Sequence, residues 1–402
     1  MRKQIRRIPF FVVAATLLVS VLSRADDDVI RIGEINAYKA LPALTVPYRK
    51  GWELAQEEIN AQGGVLGKRL ETVFRDSNAN AGEAVRAAQE LMTLEKVDML
   101  AGVTFSHVGL AVSDFARHRK VFFLASGPFS DAIIWSKHNR YTYRLRAGTY
   151  AMVAAVIDDA VALNKKRWAL VYPNYEYGQV AAETFKTEMK KRQPDVEFVI
   201  EQAPPYGKVD AGLMVQALED AKPDAIFNVL FGADLTRFLR EGHNRGLFEN
   251  REVVSLMSGE PEYSDPLKGD APKNWLVTGY PYDSLDMPEH QDFIEKYRAK
   301  YDDYPRMNSV VAYATVKALA AGIEKAGSTD AEDLVEAFKG LKFSTPFGVE
   351  RFSPVDNQSS MGVIVGRSGL KDGHGYMKTW KYLNGDAISP PLEERKALVA
   401  GD

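Results

Sequence analysis

The 402 residues carry 51 Lys and Arg against 54 Asp and Glu, a net charge of -3 with both signs interspersed, which excludes a nucleic-acid or anionic-membrane binder. No cysteine is present, so disulfides, thiolate metal sites and a lipid-attachment cysteine are excluded too. A chain of this length outgrows one hydrophobic core and implies two domains.

At the start, Arg2, Lys3, Arg6 and Arg7 precede an apolar run from Ile8 to Leu22, and Ser23-Arg24-Ala25 is a small-x-small end. Residues 1–25 therefore read as a secretory signal cut after Ala25. The run is shorter than the roughly 20 residues of a membrane span. The expected product is a free exported protein, most naturally in the periplasm.

Apolar, β-branched runs predict strands at Val29 to Ile35, Leu70 to Arg75, Met99 to Gly102, Val121 to Leu124, Trp168 to Tyr172, Val196 to Glu201, Ala225 to Leu230 and Val253 to Met257. Helical periodicity places helices between them at Tyr48 to Gln62, Gly82 to Leu94, Ser106 to His118, Ala151 to Leu163, Glu176 to Lys190 and Ala233 to Asn244. Asn80 and Glu83 have the spacing of an N-cap and its reciprocal acid. Gly63 and Gly64 follow a helix instead of opening one, and Arg69 stands where a phosphate loop needs Ser or Thr, so they are a helix stop. Beyond Trp275 come three helical patterns, Glu289 to Tyr301, Asn308 to Lys325 and Ala331 to Leu341, and then short strands and turns from Phe347.

The βα succession runs twice, with a join near Arg146-Ala147-Gly148. This order predicts an α/β fold of two doubly wound parallel-sheet lobes with a cleft between them. The expected division is 26–146 plus 279–353 for the first lobe and 147–278 plus 354–402 for the second.

Catalytic patterns are absent from the sequence. No Ser has Gly at both minus two and plus two, no two histidines stand four apart, and Gly373 and Gly375 lack the third glycine of a dinucleotide fingerprint. The chain is expected to bind instead of catalyse, with no cofactor and no metal. Candidate groups then lie at strand ends. Ser106 opens a helix whose first N–H groups would welcome a carboxylate, although a helix-capping role is the plainer explanation. Gly127 and Phe129 sit in the turn after the fourth strand, Tyr177 in YPNYEYG, Phe231 after the strand Ala225 to Leu230, and Glu260 after the strand Val253 to Met257.

The stretches GWELAQEEINAQGGVLGKRL, RDSNANAGEAVRAAQEL, AGVTFSHVGLAVSD, YRLRAG, YPNYEYG and AYATVKALAAGIEKAG, in this order, resemble the type I periplasmic solute-binding proteins of the leucine/isoleucine/valine-binding family. That resemblance implies a monomeric receptor whose lobes close on a small molecule and which hands it to an ABC permease in the inner membrane. It implies that Ser106 and the Gly127 to Phe129 turn hold a ligand carboxylate, that Tyr177 and Phe231 cover the ligand, and that Glu260 meets an ammonium. Phe129 stands where amino-acid binders often carry Thr, and Phe105 where many have a cysteine. These departures favour a flatter ligand, an aromatic carboxylate or amide, whereas Glu260 favours an apolar amino acid of branched-chain type. A sensor subunit and an exported enzyme of dispersed site are the remaining alternatives.

Overall fold

The computed structural model describes residues 28–399; the expected signal at 1–25 lies outside the described residues. The first sheet has the order β2-β1-β3-β4-β5, from β1 (Val29–Asn36), β2 (Arg69–Asp76), β3 (Met99–Gly102), β4 (Phe123–Ala125) and β5 (Thr142–Arg144), all parallel. Between these strands run α1 (Pro42–Ala61), α2 (Ala81–Thr93) and α3 (Ser106–Arg119).

The second sheet has the order β14-β13-β10-β9-β8-β6-β7. Its parallel part is β6 (Arg167–Val171), β7 (Glu197–Gln202), β8 (Ala225–Asn228), β9 (Glu252–Gly259) and β10 (Leu276–Gly279). The helices of this lobe are α4 (Thr149–Ala162), α5 (Glu176–Arg192), α6 (Ala211–Ala221), α7 (Gly232–Asn244) and the one-turn α8 (Pro261–Ser264).

After β10 the chain returns to the first lobe as α9 (Pro288–Tyr301), α10 (Met307–Ala326), α11 (Ala331–Phe338) and a hairpin, β11 (Lys342–Thr345) with β12 (Gly348–Arg351). Two observations fix that return: Asp303 pairs with Lys50 of α1 at 2.8 Å, and Phe338 and Phe352 pack on Tyr143 of β5. Then β13 (Val363–Lys371) and β14 (His374–Leu383) cross back and close the second sheet antiparallel. A terminal helix, α12 (Leu392–Val399), ends the described chain. The three crossings of the described chain make the hinge.

Each lobe has its own aromatic centre. In the first, the Phe122 and Phe338 rings are 4.4 Å apart; in the second, Phe185 stacks on Phe227 at 4.0 Å. Burying such rings, at roughly 25 cal/mol per Å², drives the collapse of each layer.

Some expectations need correction. α1 begins at Pro42, six residues before Tyr48, because Pro is tolerated in a first turn that donates no intrahelical N–H. β5, α6 and β10 escaped the sequence reading, the strands because runs of three or four residues show no period. The second sheet is mixed instead of wholly parallel, and its last two strands are 9 and 10 residues long instead of short. Asn80 does cap α2, accepting from the Glu83 N–H at 3.0 Å, but the Glu83 carboxylate accepts from Asn78 instead of reciprocating. Gly64, at φ 78°, does end the α1 turn; a Cβ there would lie 1.9 Å from the Lys68 carbonyl.

Candidate ligand-binding site

The site is built at the carboxyl ends of strands of both sheets, where a doubly wound fold leaves its crevice. β3 is followed by Val103 with φ 71°, a left-handed value that costs a β-branched residue about 1–3 kcal/mol. That turn delivers Phe105 as the N-cap of α3 and Ser106 as its first residue. Ser106 is 1% exposed, and the N-cap position itself belongs to Phe105.

The turn after β4 is held from two sides. Ser126 Oγ bonds the Tyr48 hydroxyl at 2.8 Å and the Thr315 hydroxyl at 3.1 Å, pinning the turn to α1 and α10. From β5, Arg144 donates to the carbonyls of Phe129 (3.1 Å) and Ser130 (2.6 Å) and pairs with buried Asp131 at 2.9 Å. Phe129 and Ser130 are thereby fixed at the rim. The Gly127 N–H donates to the Val103 carbonyl at 3.2 Å, so the structure gives this amide an internal partner.

From the second lobe, α5 starts with Glu176 and Tyr177, and Phe231 is the N-cap of α7. In β9, Met257 has φ 65° and its N–H donates to Thr278 Oγ1 at 2.7 Å; this irregularity precedes Glu260. The rings of the two lobes meet. Phe129 lies 5.3 Å from Tyr177, Phe105 lies 5.6 Å from Tyr206 and 6.4 Å from Phe231, and Tyr206 stacks on Phe231 at 5.0 Å. All six residues singled out from sequence are buried: Ser106, Phe129, Tyr177, Phe231 and Glu260 along this seam, and Gly127 against the Val103 carbonyl.

Two residues at the seam were not singled out. Arg146 crosses to Glu260 as a buried ion pair, and its guanidinium also lies 4.8 Å from the centre of the Phe129 ring. The available cue was the pair of arginines two apart in YRLRAG, since residues at that spacing share one side of an extended chain. Burial pushes the Glu260 carboxyl up to about 8; the pull of Arg146 opposes this only in part, and nearby Glu262 adds to it. The second is Glu176, whose carboxylate accepts a hydrogen bond from the Ser130 hydroxyl of the other lobe. Desolvation raises its pKa, and Ser130 and, more weakly, Ser106 favour the ionised form. An acid in the first turn of a helix is ordinary, so sequence offered no cue to it.

A further tie runs beside the seam. Glu262 accepts from the N–H of Asn308 at 2.7 Å and from its side-chain amide at 2.8 Å, at the start of α10. The Tyr304 hydroxyl donates to Asp265 at 2.7 Å. A cavity of about 20 Å³, enough for about one water, adjoins Arg146, Glu260, Thr278 and Met307. One oxygen each of Glu176, Glu260 and Glu262 and the hydroxyl of Tyr177 are buried with no hydrogen-bond partner among the described residues. The described residues contain no cluster of three metal-ligating side chains, and no described helix is long and apolar enough to cross a membrane.

Known proteins agree with this architecture. The Leu/Ile/Val-binding protein homolog 7 of Brucella suis is 26% identical over 347 residues, covering 82% of this chain and 84% of its own. A leucine-, isoleucine-, valine-, threonine- and alanine-binding protein of Pseudomonas aeruginosa is 26% identical over 75% of this chain and 79% of its own. Among solved structures, a solute-binding protein of an ABC transporter from Rhodopseudomonas palustris, in complex with 3,4-dihydroxybenzoic acid, superposes with a TM-score of 0.80 at 22% identity, covering 91% of this chain and 99% of that one. With residues 30–373 matching the periplasmic binding protein family, and with two doubly wound lobes meeting at a buried seam, the chain belongs to that family.

Proposed function

We propose that this protein is the solute-receiving component of an ABC importer, freed into the periplasm by removal of residues 1–25. It works as a monomer that closes its lobes, 26–146 plus 279–353 and 147–278 plus 354–402, on one small molecule. The observation that carries this reading is the seam of rings, Phe105 and Phe129 from one lobe against Tyr177, Tyr206 and Phe231 from the other. Flat apolar surface from both sides suits a flat apolar ligand body, which bridges the lobes and shifts the hinge toward closure. The permease then distinguishes closed from open by lobe faces that only closure aligns.

The contacts that must part on opening are identifiable: the ring seam, Ser130 with Glu176, Arg146 with Glu260, and Glu262 with Asn308. The relatives are named for aliphatic amino acids, and solved neighbours from Rhodopseudomonas palustris were found with aromatic acids. The Arg146–Glu260 pair supports the aromatic alternative over the branched-chain one. Glu260 already has its cation inside the protein and does not depend on a ligand ammonium.

The test is to unfold and refold the exported protein, removing carried ligand, and to follow melting temperature and radius of gyration against amino acids, aromatic acids, amides and sugars. A ligand at 100 times its Kd should add about 2.7 kcal/mol of stability. Compaction on binding supports the proposal. Binding with no change in radius, or chemical turnover of the bound molecule, refutes it.

A further inference from the structure

Glu176 stands on the groups that a ligand carboxylate would use. It reaches across the seam from the first turn of α5 and accepts the Ser130 hydroxyl, and Ser106 at the start of α3 acts on the same carboxylate. Ser106 and Ser130 are both buried. The protein therefore supplies this corner with its own carboxylate, and a ligand carboxylate placed there would face a like charge in a poorly solvated seam.

An independent observation points the same way. Among the described residues, the buried polar atoms without a partner include one oxygen each of Glu176, Glu260 and Glu262, the Tyr177 hydroxyl and the Ser258 hydroxyl two residues before Glu260. An ionised carboxylate only accepts, a hydroxyl or phenol can accept as well as donate, and so can the Glu260 carboxyl when protonated, its pKa being raised to about 8. The guanidinium groups here are already paired, Arg146 with Glu260 and Arg144 with Asp131. Every member of this set can accept, and a buried acceptor left unmet is costly.

Resting on the binding-protein reading above, we propose that the cleft selects a ligand that donates N–H groups, an amide or amine on an aromatic or apolar body, and that Glu176 is the specificity residue that accepts from it and rejects the matching carboxylate. The remaining acceptors, Glu260 and Tyr177, then meet a second donor hydrogen of the ligand. Leucine-like zwitterions fit poorly because their carboxylate has no free corner.

The experiment is calorimetric titration of the refolded protein with benzamide, benzylamine, benzoate and leucine at neutral pH, with scattering to report closure. Benzamide or benzylamine is expected to bind at least tenfold tighter than benzoate and leucine. In Glu176→Gln, which keeps the shape and removes the charge, benzoate should gain at least tenfold and benzylamine should lose. Should that variant not fold, the wild-type ratio alone decides. Benzoate or leucine binding as tightly as benzamide and benzylamine, or both nitrogen compounds staying silent while another class of molecule closes the lobes, overturns this inference and leaves the binding-protein reading intact. Failure of every amino acid, acid, amide, amine and sugar to close the lobes counts against that reading itself.

Discussion

Changing Glu34 to Gln should remove a large pH-dependent term from the stability of the first lobe. Glu34 lies on β1, is 0% exposed, and touches the Tyr38 hydroxyl at 2.6 Å and the Asn36 amide at 3.2 Å. Burial raises its carboxyl from 4.5 to about 8, against the smaller opposing effect of those two hydrogen bonds. Between these values the folded protein holds a proton that the unfolded chain has released. Stability therefore falls as pH rises through the window and levels off above about 8. At 1.36 kcal/mol per pH unit over roughly 3.5 units, the full loss is about 5 kcal/mol, of which about 3 kcal/mol has occurred by pH 7. Gln keeps the shape of the neutral acid and does not titrate. Urea unfolding of both proteins from pH 5 to pH 9, at constant ionic strength, should give a difference in stability that swings by about 4 kcal/mol in favour of Glu34→Gln as pH rises, the part of the window above pH 5. Other buried acids titrate in both proteins and cancel in that difference. A difference that stays constant across the range would refute the argument and mean that Glu34 keeps an ordinary carboxylate pKa.

Above pH 8, where Glu260 is ionised, Arg146→Met leaves its buried charge without a partner and should cost about 3–5 kcal/mol, most of it recovered by combining it with Glu260→Gln in a double-mutant cycle. Tyr177→Phe removes a buried hydroxyl that has no partner among the described residues, so thermal melting of the ligand-free protein should rise by the equivalent of about 1–3 kcal/mol, while ligand affinity falls. Gly51→Ala improves helix propensity by about 1 kcal/mol, yet the new Cβ would lie 2.0 Å from the Ser309 carbonyl, where α1 meets α10. The overpacking outweighs the propensity, and chemical denaturation should show a net loss of about 1–3 kcal/mol.

Long periodic segments were legible because each helix or strand repeats its apolar spacing within its own few turns. Helix α3 and strand β1 are of this kind, and so is the alternation that gives two wound sheets. β5 and β10, at three and four residues, owe their extended state to neighbouring strands and show nothing of it locally. The aromatic side of the site was legible in part: Phe129, Tyr177 and Phe231 each follow a strand end, and strand ends of one sheet share a rim. Its polar side was not. Arg146 and Glu260 are 114 positions apart, and Ser130 and Glu176 are 46 apart.

What the sequence by itself determined is therefore the α/β succession, the crossing of the chain between two lobes, and the strand-end positions of Phe129, Tyr177 and Phe231, because these follow from local spacing. What only the tertiary structure decided is which charge meets which. Glu260 finds a guanidinium and Glu176 finds a serine because two separately folded lobes bring them into one desolvated seam, and there an acid's partner is set by distance in space.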